Sequence, residues 1–440
     1  MNYKFLKNSK LILLTIRCWH KIVVKFFLDH YIEILTNLSE KNDFFKKLLL
    51  LLKSDVQNFD LTSIKSRNIY SLVSKKNIEH YSAASLITKN QMVLPEAIDF
   101  SFESKIDLMN VTLQIYKFPQ ANVTHGSDIL RLNPNECYWY KCHQHFMYKT
   151  IPMDSDLYLY DKKNNSVLLA KTKRVQQELD NVVSLVGSKD FSWAHFIVEY
   201  LPKLEIVKKY YYTTKLTVLI PRSLDQNCKE MVNFLKSPNW DIFELDNGHS
   251  ISCKNLYYID CTSWLTDHSE TLILGDTMLY EVALVMLKEF VNNYQIGNAQ
   301  LKQRSRRIYL RRDSTVRSLT NLTEVDALLE MYNFEVIYGN ELTLKEKSEI
   351  FSQAEIVVGP GSSGFLNIIF CQKDTKIICF INKNRVWDTY FPTIGSFFEL
   401  DFKYLLSKDE EDSNNPHTSY SIDISKLENE IRLILNRREQ

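Results

Sequence analysis

The sequence predicts an α/β protein made of two parallel-sheet units, and three observations carry that reading. After about residue 180, strand-like apolar runs alternate with helix-like ones; a polar, basic stretch, "GNAQLKQRSRR", interrupts the series near residue 300; and a second alternating series follows. Parallel strands need crossover connections, so such alternation argues for a parallel sheet covered by helices. A chain of 440 residues also exceeds one ordinary core. The expected divisions are a helical extension over 1–90, a first α/β domain over 91–298 and a second over 299–440.

In the extension, Lys alternates with Leu, Ile and Phe, notably in "DFFKKLLLLLK", which fits amphipathic helices that pack on the main body or lie on an anionic membrane surface. Arg17, His20, Lys21 and Lys25 interrupt its apolar N-terminal run, so no span of about 20 apolar residues is expected. From about 95 to 170 the texture is β-rich, with "VTLQIYKF", "CYWYKCHQHFMYK" and "LYLYDKKNNSVLLAK", the last with a hairpin tip at "DKKNNS". The first alternating series then reads helix "AHFIVEYLPKLEIVKKYY", strand "LTVLI", helix "QNCKEMVNFL", strand "NLYYID" and helix "TMLYEVALVMLKEFVNNY". The second reads "RIYLR", "TEVDALLEMY", "FEVIYG", "LKEKSEIFSQ", "AEIVVG", "SGFLNIIF" and "TKIICFI", strand and helix in turn.

Composition excludes some function classes. A net charge of +1 gives no electrostatic case for nucleic acid as partner. The 8 cysteines are scattered rather than densely spaced, as expected of reduced, buried thiols in a cytoplasmic protein. Cys137, Cys142, His143 and His145 invite a metal reading, but on a strand Cys142 points away from both histidines, so no metal is expected.

Only 10 glycines occur in the chain, and three fall within "IVVGPGSSGFLNIIF". A strand ending at a bare backbone, followed at once by a helix start, is how a phosphate is seated. Gly359, Gly361 and Gly364 supply the bare turn, and Ser362 and Ser363 add hydroxyls that cap the helix or donate to an anion. Any tight strand-to-helix turn also favours Gly and Ser. A nucleophile elbow with Ser362 at its tip is a further alternative, with Asp388 and His417 following in chain order, although Pro360 replaces its first glycine.

These residues resemble glycosyltransferase family 61. In the C-terminal half the resemblance runs through Arg312, Arg317, Asn321, Glu324, Glu346, Phe351, Ala354, Gly359, Pro360, Gly364 and Asn367; a second block, "DFSWAHFIVEYLPKL", matches at His195, Glu199 and Pro202. The chain departs from the family pattern at Gly361, where the family has His, at Ser362 and Ser363, and at Lys347, Phe196 and Lys203. The resemblance covers roughly residues 95 to 405. It implies a GT-B architecture, two Rossmann-like domains facing a cleft, with a nucleotide-sugar donor held mainly by the C-terminal half and a glycan or lipid-linked acceptor by the N-terminal half. It implies an inverting hexosyl- or pentosyltransferase of surface (capsular) polysaccharide biosynthesis, working without a metal or other cofactor, cytoplasmic or peripheral on the inner face of the membrane through residues 1–90.

In that chemistry Arg312 and Arg317, with Gly359, Gly361, Ser362, Ser363, Gly364 and Asn367, hold the donor, and Arg311 is a possible substitute for Arg312. His195 and Glu199, four apart on one helix face, form a base and its orienting carboxylate, or His195 contacts substrate, or it is structural. Asp190 is the other base candidate. A non-catalytic scaffold that binds a nucleotide sugar, and a hydrolase using Ser362, are the alternative functions.

Overall fold

In a computed structural model, the structure describes residues 69–73, 79–94, 96–98, 100–101, 110–140, 154–161, 164–170, 173–259, 262–265, 277–298, 303–312, 317–408 and 418–436. Most of the expected helical extension, residues 1–68, therefore lies outside the described residues, as do Cys142, His143, His145 and His417. What is described of the rest is mainly β rather than helical: Ile69–Leu72 and Ser82–Gln91 are strands, the second preceded by a 3-10 turn, Glu79–Tyr81. The reason is tertiary, because Ser82–Gln91 pairs antiparallel with Asn110–Thr124 and Ile69–Leu72 pairs with Glu136–Tyr138 and Ser166–Leu169.

The mixed α/β class is borne out. The N-terminal half carries four parallel strands: β1 (Val175–Ser184), β2 (Thr217–Pro221), β3 (Asp241–Leu245) and β4 (Ser250–Ile259). They lie in the order β3-β2-β1-β4, and β4 continues antiparallel to Asn110–Thr124 into the β-rich region. There the expected hairpin forms between Leu157–Asp161 and Ser166–Leu169. Helices α1 (Pro202–Tyr211), α2 (Gln226–Leu235) and α3 (Glu281–Asn298) complete this half. Asp225 starts α2 by accepting a hydrogen bond from the Asn227 N–H, 2.9 Å.

The C-terminal half holds β5 (Arg306–Leu310), α4 (Leu322–Met331), β6 (Glu335–Ile337), α5 (Leu344–Ser352), β7 (Ala354–Pro360), β8 (Lys376–Ile381), α6 (Tyr390–Phe397), β9 (Asp401–Leu406) and α7 (Ile424–Asn436). Its parallel order is β6-β5-β7-β8-β9, the doubly wound order 2-1-3-4-5. Every residue of β7 is buried, which is why "AEIVVGP" reads as an unbroken apolar run. Alternate strand residues face opposite ways. Tyr309, Ile356, Val358, Ile378 and Phe380 meet α4 and α7 in one core, while Ile308, Leu310, Val357, Ile377 and Cys379 join the core shared with the N-terminal half. A capping box, Thr343 with Glu346, starts α5.

The two halves are tied together in ways the sequence boundaries do not foresee. Glu96–Ala97, from the segment assigned to the first domain, adds a strand to β9. Asn227 Nδ2 donates to Leu342 O at 3.0 Å, Thr389 Oγ1 donates to Thr277 O at 3.1 Å, and Lys347 Nζ lies 4.1 Å from the Trp193 ring centre. The five described cysteines, Cys137, Cys228, Cys253, Cys371 and Cys379, are free and buried. No helix among the described residues is long and apolar enough to cross a membrane.

Candidate active site

In open parallel sheets ligands bind beyond the carboxyl ends of strands, where the strand order reverses direction and two neighbouring crossovers leave on opposite faces. In the C-terminal half that point lies between β5 and β7. There Gly359 has φ +156°, and a Cβ on it would stand 2.4 Å from the Leu310 carbonyl oxygen. The glycine is required by close approach of the two strand ends, not by loop flexibility. Gly361 follows with its N–H donated to Phe380 O, 2.9 Å, so this amide serves the sheet and is not offered to an anion.

The segment after it, Ser363–Phe370, is a 3-10 helix. Ser362 stands extended before it and does not cap it with its side chain, contrary to the capping role open to it from sequence. Ser362 instead lines the pocket described below. Gly364 lies inside the helix, and Asn367 is fully buried beneath it, with both amide atoms lacking a hydrogen-bond partner. Asn367 is thus under the turn rather than on its exposed face, next to Gly339, where an added Cβ would lie 2.8 Å from its Nδ2.

In the N-terminal half the corresponding reversal is between β1 and β4, and the chain leaving β1 carries the other candidates. Asp190 is buried, its Oδ2 accepting the Gly187 N–H at 3.0 Å, and burial pushes its carboxyl up to about 7. Next come the short turn Trp193–His195 and a π-helical segment, Phe196–Tyr200, closed by the Leu201 N–H on Phe196 O at 2.8 Å. Pro202 explains the π segment. Without an N–H it cannot bond the Val198 carbonyl, and the Thr262 hydroxyl takes over, lying 2.9 Å from Val198 O and 3.1 Å from Glu199 O.

The segment holds His195 and Glu199 in register. His195 Nδ1 is 2.7 Å from Glu199 Oε2, with both residues buried, and Glu199 Oε1 accepts the Leu265 N–H at 2.9 Å. A carboxylate fixed at two points makes Nδ1 the protonated nitrogen and leaves the lone pair on Nε2.

One pocket unites the two reversal points. Its walls are Ala194, His195, Leu265 and Thr277 from the N-terminal half, and Arg317, Gly361, Ser362, Ser363, Arg385, Asp388, Tyr390 and Phe391 from the C-terminal half. Ser192 Oγ and Ser363 Oγ approach to 3.4 Å across it. Arg317 has φ +57°, a left-handed backbone costing about 1–2 kcal/mol in a non-glycine residue. Such strain is common where a side chain is aimed at a ligand.

Of the residues singled out in the sequence, the structure brings together His195, Arg317, Gly361, Ser362 and Ser363, with Glu199 behind His195 and Gly359 shaping the turn. It does not bring Asp190 or Arg312 to the pocket wall. Arg311 is taken by Asp326 at 3.1 Å, and Arg306 and Arg307 by Glu335 and Glu355, so most of the basic run "RSRRIYLRR" anchors the sheet. Asp388 pairs with Arg385 rather than with a histidine, which leaves the nucleophile-elbow reading without its second member. Arg385 and the aromatic pair Tyr390 and Phe391 were missed by the sequence reading. The signal available was their position just past β8, the next strand end along the sheet.

Residues 193–378 match the family model described as Glycosyltransferase 61. No curated protein matches the chain. The match begins at the turn that carries His195, ends inside β8 and contains the whole glycine turn, so the stretch that builds most of the pocket is similar to glycosyltransferase family 61.

Proposed function

We propose that the protein is an inverting glycosyltransferase that moves a hexose or pentose from a nucleotide-sugar donor to a glycan or lipid-linked acceptor in surface polysaccharide synthesis. The two halves act as the facing domains of a GT-B architecture, and residues 1–90 bring the enzyme to the inner membrane face. The observation that supports this reading best is the facing of a carboxylate-oriented imidazole and a glycine-serine turn flanked by arginine across one pocket.

In the reaction, His195 Nε2 takes the proton of the acceptor hydroxyl as its oxygen attacks the anomeric carbon. The bond from that carbon to the donor diphosphate breaks on the opposite face, its electron pair leaving with the diphosphate, so the configuration inverts. Glu199 keeps the imidazole in the tautomer that accepts on Nε2 and stabilises the imidazolium. Arg317 and the Ser362 and Ser363 hydroxyls receive the charge that builds on the leaving diphosphate. No step calls for a metal.

Calorimetry of the full chain against a panel of nucleotide sugars, followed by transfer assays with the one that binds, tests the proposal. Selective binding, release of nucleoside diphosphate and an inverted anomeric signal by NMR are the expected results. Binding without turnover on any acceptor would favour the scaffold, and folded protein that binds no nucleotide sugar would sink the proposal.

A further inference from the structure

Arg385 stands on the wall of the pocket, 7% exposed, and is built in from several sides. It ends a 3-10 turn, Lys383–Arg385, started by Asn382, whose side chain accepts the Asn384 N–H at 2.9 Å. Its Nη2 is 2.7 Å from Asp388 Oδ2. Asp388 is held in turn: Oδ1 accepts the Tyr390 N–H at 3.2 Å, and its carbonyl accepts the Tyr404 hydroxyl at 2.8 Å. A buried ion pair adds little stability on its own, because desolvating both charges cancels most of their attraction. One placed on a pocket wall beside a second arginine has a use for its position.

The charge balance points the same way. Among the described residues that line the pocket, Asp388 is the one carboxylate beside Arg317 and Arg385, and Glu199 is engaged by the His195 imidazole. Arg312, Arg317 and Arg385 all act on the buried Tyr420 phenol, which burial pushes up and their charges pull down, so three guanidinium groups gather on this side of the sheet. At Gly361 the space is closed, since a Cβ there would meet Cys379 Sγ at 3.2 Å and Phe391 Cε2 at 3.3 Å. The turn itself thus has little room for a larger side chain, and the cation is supplied from the next strand end.

We propose that Arg385, partnered with Arg317, binds the diphosphate of the nucleotide donor and stabilises it as it leaves, with Asp388 as the positioning residue that fixes the guanidinium plane. The inference rests on the donor reading of the pocket given above and adds to it a group that the sequence did not reveal. A planar fork matches a diphosphate at two oxygens where an ammonium meets it at one, so Lys is a poor substitute.

The test is calorimetric titration of the full chain and its variants with uridine, guanosine, cytidine and thymidine diphosphates, alongside circular dichroism. For the diphosphate that binds wild type, Arg385→Ala is expected to weaken affinity about 30- to 100-fold, Arg385→Lys about 5- to 10-fold and Asp388→Asn about 3- to 5-fold. In transfer assays Asp388→Asn lowers kcat while the acceptor KM stays, a split that a purely structural pair would not produce. Unchanged diphosphate affinity in folded Arg385→Ala overturns the inference. If that variant fails to fold, unchanged affinity in Arg385→Lys does so. A wild-type protein that binds none of the diphosphates is a different result, since it removes the donor reading itself.

Discussion

The two halves use the same topological device for opposite chemistry. Each places its candidate residues where the order of parallel strands reverses, between β1 and β4 in one half and between β5 and β7 in the other. The C-terminal reversal offers bare backbone, hydroxyls and guanidinium groups whose charge is fixed. The N-terminal one offers His195 held by Glu199, and Asp190, whose carboxyl burial pushes up to about 7. One half is thus suited to holding an anion and the other to moving a proton.

The sharpest way to break that division is His195→Ala. Transfer is expected to fall about 1000-fold, within the range for loss of a general base, while affinity for the nucleoside diphosphate stays within about twofold. A collapse of both in steady-state kinetics and calorimetry would show that the roles are not split between the halves.

Gly359→Ala strikes the C-terminal side through its backbone. The positive φ and the 2.4 Å approach to Leu310 O add strain to overpacking, together costing about 4 kcal/mol in denaturant unfolding. Gly248 is the control: its φ is +74° but nothing lies within 4 Å of an added Cβ. Its Ala variant should lose only about 1 kcal/mol.

The N-terminal side is expected to show itself in pH. Burial raises the folded Asp190 carboxyl from its ordinary 3.8 to about 7. A carboxyl with a raised folded pKa binds more protons folded than unfolded between those values, so its contribution to stability falls as pH rises from about 4 to about 7 and is flat above. Asp190→Asn removes that slope, worth about 4 kcal/mol across the window at about 1.4 kcal/mol per unit. Asp154, fully buried and also raised to about 7, keeps a similar slope in the variant. An identical pH dependence in wild type and Asp190→Asn would place the Asp190 carboxyl in water.

The smallest expected effect tests the seam between the halves. Asn227→Ala removes the bond to Leu342 O and should cost about 1 kcal/mol without splitting the unfolding transition. Two separate transitions would mean that the shared core does not couple the halves.

Much of this was legible in the sequence where one physical requirement dominates. The parallel strands show as apolar runs, and the glycine turn shows because a backbone in contact with another strand excludes every side chain. His195 and Glu199 show because four residues of helix put them on one face, and the π segment that Pro202 forces keeps them bonded. The failures have causes as specific. Residues 69–72 and 82–91 look amphipathic in either period, and only pairing with distant strands decides for β. Arg312 and Arg385 cannot be ranked from sequence, because the guanidinium that reaches the pocket is chosen by which strand ends there.

The sequence by itself determined the α/β class, the two parallel series, the glycine turn and the helix that carries the imidazole, since each follows from interactions between residues near in the chain. Only the tertiary structure decided that the two reversal points share one pocket, that Ser362 is not a cap, and that Arg385 and Asp388 join Arg317 there. Those outcomes turn on which segments far apart in the chain meet at the pocket, and local propensity carries no information about which distant strand end will be the neighbour.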